Sequence, residues 1–258
     1  MQIERFIPVV TGANRGLGAA LIDVLIERGV SKVYAGARDM ATLTDTKAHY
    51  GEKVVLVELD VTNPDHVVSA ANIAADANLL ISNAGVTCIK PILPEPNIDD
   101  FRQTMEVNYF GPLQLLRAFA PVLASNGGGA VIQVASMASL VSVPSAPAYS
   151  ASKAACSMLG QAMRHELAPL GTRVSVCYPG FFATRMAEGF DVPKPSARDI
   201  ANSMLDGFIE GQSSIFPDTY ARLTHQALLE NIEGVLDTPA EVVNKLVADF
   251  IVHPDAGK

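Results

Sequence analysis

Six short apolar runs recur along the chain: Phe6 to Val10, Lys32 to Ala37, Val54 to Leu59, Leu79 to Ser82, Ala130 to Val134 and Arg173 to Tyr178. Each is apolar at nearly every position instead of every second one, so a strand formed from it must be covered on both faces. Longer segments with helical spacing separate them. Between the first two runs, Leu17, Leu21, Val24 and Leu25 form one stripe that ends ahead of Gly29. Two further helices are expected over about Asp99 to Ala124 and Tyr149 to Leu170. In the second, Ala151, Ala155, Met158, Leu159 and Ala162 share a face of mostly small residues that permits close packing. Buried strands alternating with amphipathic helices predict an α/β fold, a doubly wound parallel β-sheet flanked by helices. The Gly127-Gly128-Gly129 run is too short to link domains, so residues 1–258 are expected to form a single domain. Pro8 lies inside the first run and lacks a ladder N–H, which predicts a local irregularity there.

Composition narrows the function classes. Hydrophobic residues make up 49% of the 258, and charged residues 18%, enough to build a large core. A formal charge of −8, from 19 basic and 27 acidic residues, argues against nucleic acid or anionic membranes as partners. The N-terminal sequence does not follow a signal-peptide plan, and no apolar run approaches the ~18 residues of a membrane span. A cytoplasmic protein is expected. Cys88, Cys156 and Cys177 form no CxxC pair, and His49, His66, His165, His225 and His253 show no ligand spacing, so packed thiols and no metal site are expected.

Directly after the first run comes Thr11-Gly12-Ala13-Asn14-Arg15-Gly16-Leu17-Gly18, leading into the first helix. Glycines in such a turn let the backbone approach a pyrophosphate, whose charge the helix N-terminus attracts. Glycine also serves shape alone in many loops. The spacing, G-x-x-x-G-x-G, resembles the TGxxxGxG fingerprint of the short-chain dehydrogenase/reductase family. Further motifs of that family follow in order: Leu59-Asp60-Val61-Thr62, Asn83-Ala84-Gly85, Asn108, Ser136, Tyr149-Ser150-Ala151-Ser152-Lys153, and Pro179-Gly180 with Thr184. The resemblance spans nearly the whole chain and implies a Rossmann-type domain that binds a nicotinamide dinucleotide. It implies cofactor contacts from Gly12, Asn14, Arg15, Gly16, Leu17 and Gly18. Asp60 and Val61 would meet the adenine, Asn83, Ala84 and Gly85 the groove, and Thr184 with Pro179-Gly180 the nicotinamide.

Cofactor preference has a physical reading. An acidic residue ending the second strand would bind an adenosine ribose and repel a 2′-phosphate. Here that strand ends Ala35-Gly36-Ala37-Arg38, and Arg38 with Arg15 offers two guanidiniums to a phosphate dianion, so NADP(H) is expected over NAD(H). The competing reading makes both arginines surface charges, with Asp39 neutralising Arg38.

Reducing a ketone requires a proton for the developing alkoxide, and an unperturbed tyrosine, with a pKa of about 10, serves poorly at neutral pH. Tyr149 and Lys153 are four apart and share a helix face, where an ammonium stabilises a phenolate. By resemblance, Lys153 also bonds the nicotinamide ribose, Ser136 polarises the substrate carbonyl, and Asn108 keeps a water in a proton relay. Singly, these could be a helix-start aromatic, a solvated charge, a helix-interior polar residue and, for Ser136, a strand-end cap.

Over the substrate, the resemblance places Met137, Leu140, Val141, Val143, Phe181, Phe182, Met186 and Phe190, so a small hydrophobic carbonyl or alcohol is expected, beneath a lid at about 181–200. Those apolar residues could equally pack loop against core. The chain departs from the family pattern in having Ser82 before Asn83, where a second asparagine is usual. It also reads Gly211 to Asp218 and then a helical pattern where many members end in a glycine-rich strand. A homodimer through the two long helices is expected, with a tetramer left open. The rival from another class is a catalytically inactive NADP(H)-sensing or scaffold protein on the same fold. A sugar-nucleotide epimerase would space its glycine loop differently, and no G-x-S-x-G elbow supports a hydrolase.

Overall fold

The computed structural model describes residues 2–93, 97–184 and 193–237, with Glu241. Every predicted apolar run contains a strand: β1 (Pro8–Thr11), β2 (Val33–Ala37), β3 (Val54–Glu58), β4 (Leu79–Ser82), β5 (Ala130–Val134) and β6 (Arg173–Cys177). β1, β2, β4 and β5 are buried at every residue, whereas β3, at the sheet edge, is buried at only some. A seventh, two-residue strand, β7 (Ser214–Ile215), pairs with β6, so the chain keeps a strand where its sequence departs from the glycine-rich pattern.

All pairings are parallel, in the order β3-β2-β1-β4-β5-β6-β7. β1 lies between β2 (Val10 opposite Ala35) and β4 (Val10 opposite Ile81), so the winding reverses there and leaves a crevice beyond the carboxyl ends of β1 and β4. Pro8 is the first residue of β1, a position that tolerates a missing N–H, and the expected irregularity is absent.

The helices are α1 (Gly16–Glu27), α2 (Thr44–Tyr50), α3 (Pro64–Ile73), α4 (Asp99–Met105), α5 (Gly111–Ser125), α6 (Pro147–Leu167), α7 (Ala197–Ile209), α8 (Thr219–Glu230) and α9 (Ile232–Asp237). Two layers cover the sheet. Val10, Ile81 and Ile132 pack with Leu21 and Leu25 of α1 and Met204 and Phe208 of α7. Val9, Leu80 and Val131 pack with Leu115 and Phe119 of α5 and Leu159 of α6. Each such side chain contributes roughly 1.5–3 kcal/mol on full burial, which is why alternate residues of one strand are apolar on both sides.

One expectation needs correction. The helix expected over Asp99 to Ala124 is α4 and α5 joined by a π-helical turn, Glu106–Phe110. Pro112 has no N–H for the carbonyl four residues back, that of Asn108, and a wider turn accommodates the missing bond. The small-residue face of α6 lies mostly outward, where close packing would be against another molecule: Ala151 and Ala162 are exposed and Met158 is 64% exposed. The buried face is instead Ser152, Lys153, Cys156, Ser157, Leu159, Gly160 and Met163.

Candidate active site

A cavity of about 610 Å³ opens at the carboxyl ends of the central strands. Its lining includes Gly12, Asn14, Arg15, Gly16, Leu17, Arg38, Asp60, Val61, Asn83, Ala84 and Gly85, and also Ser136, Tyr149, Lys153, Pro179, Gly180 and Thr184. Of the predicted site residues, only Gly18 and Asn108 stand behind this lining. A Cβ at Gly18 would collide with the Gly12 carbonyl oxygen, so this glycine lets α1 cross the loop closely. Gly12 and Gly16 have φ of 65° and 55°, and the loop needs glycine at both.

The glycine loop is tied to the end of β4. Thr11 Oγ1 accepts the N–H of Asn83 (3.0 Å) and of Ala84 (2.9 Å), while the Asn83 amide donates to the Thr11 carbonyl at 2.8 Å. Asn83 thus shapes the groove with its side chain. Ser82, beside it, carries a buried hydroxyl with no hydrogen-bond partner among the described residues, where the usual asparagine would bring an amide. Asp60 Oδ1 accepts the backbone N–H and hydroxyl of Thr62 at 2.9 and 2.8 Å, which holds the Asp60-Val61 corner open toward the cavity.

Arg15 and Arg38 are exposed on the cavity rim, and neither guanidinium has an ion pair or hydrogen bond among the described residues. Asp39 is occupied otherwise: its Oδ1 accepts the Ala41 N–H at 2.9 Å and caps the short 3-10 turn Met40–Leu43.

At the other end, Lys153 is 4% exposed, and its ammonium donates to the Val134 carbonyl (3.0 Å), lying 6.0 Å from the Tyr149 ring centre. Ser136 Oγ accepts the Ala138 N–H at 3.1 Å and donates to the Pro179 carbonyl at 3.4 Å. Ser136 is thus a strand-end cap and also a wall of the cavity. Ser139, which the sequence reading missed, joins the two: its hydroxyl accepts the Ser136 N–H at 3.3 Å and donates to the Lys153 carbonyl at 2.9 Å.

Asn108 is fully buried in the π turn. Its amide donates to the Val86 carbonyl (2.8 Å) and Ser152 Oγ (2.9 Å), and its Oδ1 accepts the Val86 N–H (2.9 Å). Both amide hydrogens are therefore in use, and Oδ1 has a main-chain partner. Gly85 leaves room for this clamp, since a Cβ there would stand 3.2 Å from Asn108 Oδ1 and 3.3 Å from Lys153 Nζ.

Of the expected substrate residues, Met137, Val143, Phe181 and Phe182 line the cavity. Val141 is buried outside that lining and Leu140 packs against the cluster of Ala135, Val176 and Tyr178, so for these two the packing reading holds. Met186, Phe190 and positions 185–192 of the expected lid lie outside the described residues. Thr87, Ile89, Gln103 and Val107 also line the cavity, without a motif to announce them. Asp218, likewise unannounced, is 5% exposed, and burial pushes its carboxyl up, against hydrogen bonds from the Gly180 and Ala221 N–H groups. Burial raises the thiols of Cys156 and Cys177 as well, in keeping with packed cysteines.

Residues 7–193 match the family model of the short chain dehydrogenase. A 1-deoxy-11-beta-hydroxypentalenate dehydrogenase of Streptomyces exfoliatus is 32% identical over 86% of each chain. The Dehydrogenase/reductase SDR family member 7B of Danio rerio is also 32% identical, over 72% of this chain, but the match spans only 64% of that relative's length. A short chain dehydrogenase from Burkholderia cenocepacia, solved in complex with NADP, is 41% identical, with a TM-score of 0.86 over 91% of this chain and 97% of that one. One from Burkholderia phymatum, in complex with NAD, is 25% identical, with a TM-score of 0.77 over 89% and 96%. The sheet order, the glycine loop at its crevice and these matches agree: the chain belongs to the short-chain dehydrogenase/reductase family.

Proposed function

We propose that the chain is an NADP(H)-dependent oxidoreductase acting between a carbonyl and its secondary alcohol, with reduction of a hydrophobic ketone or aldehyde as the main direction. The observation that carries this reading is the convergence of Ser136, Tyr149 and Lys153 on one end of a cavity whose other end is the glycine loop with Arg15 and Arg38. The cavity's volume lies within the range of small-molecule and cofactor sites, and the close-packed glycines fit a backbone approach to phosphates. When bound, the cofactor supplies the hydride.

The protein's residues do the rest. Gly12 to Gly18 and the α1 N-terminus hold the pyrophosphate, and Arg15 and Arg38, without acidic partners among the described residues, take the 2′-phosphate. The Ser136 hydroxyl bonds the substrate carbonyl oxygen, and Tyr149 gives that oxygen its proton as the carbonyl carbon is reduced. Lys153, anchored on Val134, holds positive charge beside the tyrosine. The NADP of the Burkholderia cenocepacia relative supports the cofactor, and the hydroxypentalenate in the name of the Streptomyces relative supports an alcohol–carbonyl pair. The exposed Met158 face of α6 is the surface we assign to a homodimer.

The test follows NADPH absorbance during incubation with aliphatic, aromatic and polycyclic ketones. Consumption with at least one apolar ketone, faster than with NADH, is the expected result. Binding of NADPH without turnover of any ketone would favour the inactive sensor instead. Arg38→Asp should raise KM for NADPH about tenfold or more, the scale of a lost charge-assisted contact; an unchanged KM sinks the assignment of Arg38.

A further inference from the structure

We infer that Asp218 is a positioning residue for this reaction: from the start of α8 its carboxylate fixes the Pro179–Gly180 peptide, and through it the Ser136 end of β5. The inference rests on the proposed oxidoreductase reading. Asp218 Oδ1 accepts the Ala221 N–H at 3.0 Å and caps α8, but Oδ2 reaches 38 residues back to accept the Gly180 N–H at 2.7 Å. The carbonyl of the same peptide, on Pro179, accepts the Met137 N–H at 2.9 Å and the Ser136 hydroxyl at 3.4 Å. One peptide plane is therefore gripped at its N–H by α8 and at its carbonyl by the serine loop. It has no slack, because a Cβ at Gly180 would stand 2.5 Å from Asp218 Oδ1 and 2.7 Å from Tyr220 Cβ. The next residue, Phe181, meets the edge of Tyr220, with ring centres 5.6 Å apart. Pro179, Gly180, Phe181 and Ser136 all line the cavity, whereas Asp218 stands behind it and acts through the peptide.

Capping alone does not account for this residue. Asn63 and Ser196 cap α3 and α7 without burying a charge, and burying a carboxylate opposes folding unless its partners offset the lost hydration. Its second oxygen is what a neutral cap would lack.

Asp218→Asn and Asp218→Ser separate the two roles, since each keeps an oxygen for the α8 cap but cannot serve both N–H groups. The probes are NADPH, read by its own fluorescence, and 2′-phospho-ADP-ribose, which lacks the nicotinamide; NADH and ADP-ribose replace them if the wild type binds NADH more tightly. Both variants should bind the fragment like wild type but the whole dinucleotide roughly tenfold more weakly, the scale of one lost hydrogen bond to a charged group. Dinucleotide binding at the wild-type level, or equal loss of dinucleotide and fragment, overturns the inference alone. A wild-type protein that binds neither dinucleotide overturns the proposed function and this inference with it. Should neither variant fold, wild-type hydrogen exchange decides: the Gly180 amide should exchange as slowly as those of β5, and fast exchange overturns the inference.

Discussion

Lys153 is buried, and among the described residues its side-chain nitrogen bonds a main-chain carbonyl and not a carboxylate. A charge in that setting opposes folding, and on the proposed reading it is retained for its action on Tyr149. Tyr149→Phe removes only a hydroxyl, so turnover should fall by about 10²–10⁴ while NADPH affinity stays within twofold. A variant keeping a tenth of wild-type turnover would move the proton transfer to another group. Asp218 carries a second residue-scale consequence. Its folded carboxyl sits above its ordinary value of 3.8, so the native state holds its proton more tightly than the unfolded chain does. Its contribution to stability is therefore greatest below that ordinary value and declines as pH rises through the folded one. Urea unfolding of wild type and Asp218→Asn across this range should show the variant gaining on wild type as pH rises; parallel curves would mean the carboxyl titrates normally.

At the scale of elements, the strands were legible because burial on both faces leaves its mark at nearly every position, as in Val131-Ile132. The join at Glu106–Phe110 was harder to see. Pro112 signals it, but a proline near a helix start reads equally as a first-turn residue, and only the Asn108 clamp on Val86 and Ser152 shows what the π turn is for. The clamp joins α4–α5, the end of β4 and α6, so Asn108→Ala should destabilise by about 2–4 kcal/mol, the loss of two or more buried hydrogen bonds. Thermal unfolding checks this, and a drop below about 1 kcal/mol would show that the three elements hold together without it. The opposite holds for Ser82, whose buried hydroxyl has no partner among the described residues. Ser82→Ala should leave the melting temperature unchanged or raise it, and a loss would reveal a hydrogen bond through water.

At the scale of the molecule, sequence order alone told which side of the sheet carries the site, because each motif follows the end of a strand. What sequence could not show is long-range closure. The bonds from Asp218 to Gly180 and from Ser139 to the Lys153 carbonyl join residues that no spacing pairs. The outward α6 face poses the same problem: its small residues permit close packing, and Ala151, Met158 and Ala162 find no core in one chain. A stripe of small residues around a methionine lets two helix backbones approach closely, and a two-fold axis would set each copy's face against the same face of the other. Placing a carboxylate there in both copies would bury two like charges face to face, which an interface does not tolerate. Sedimentation velocity should therefore show a dimer for wild type and a folded monomer for Met158→Glu. A variant that stays dimeric would place the interface elsewhere.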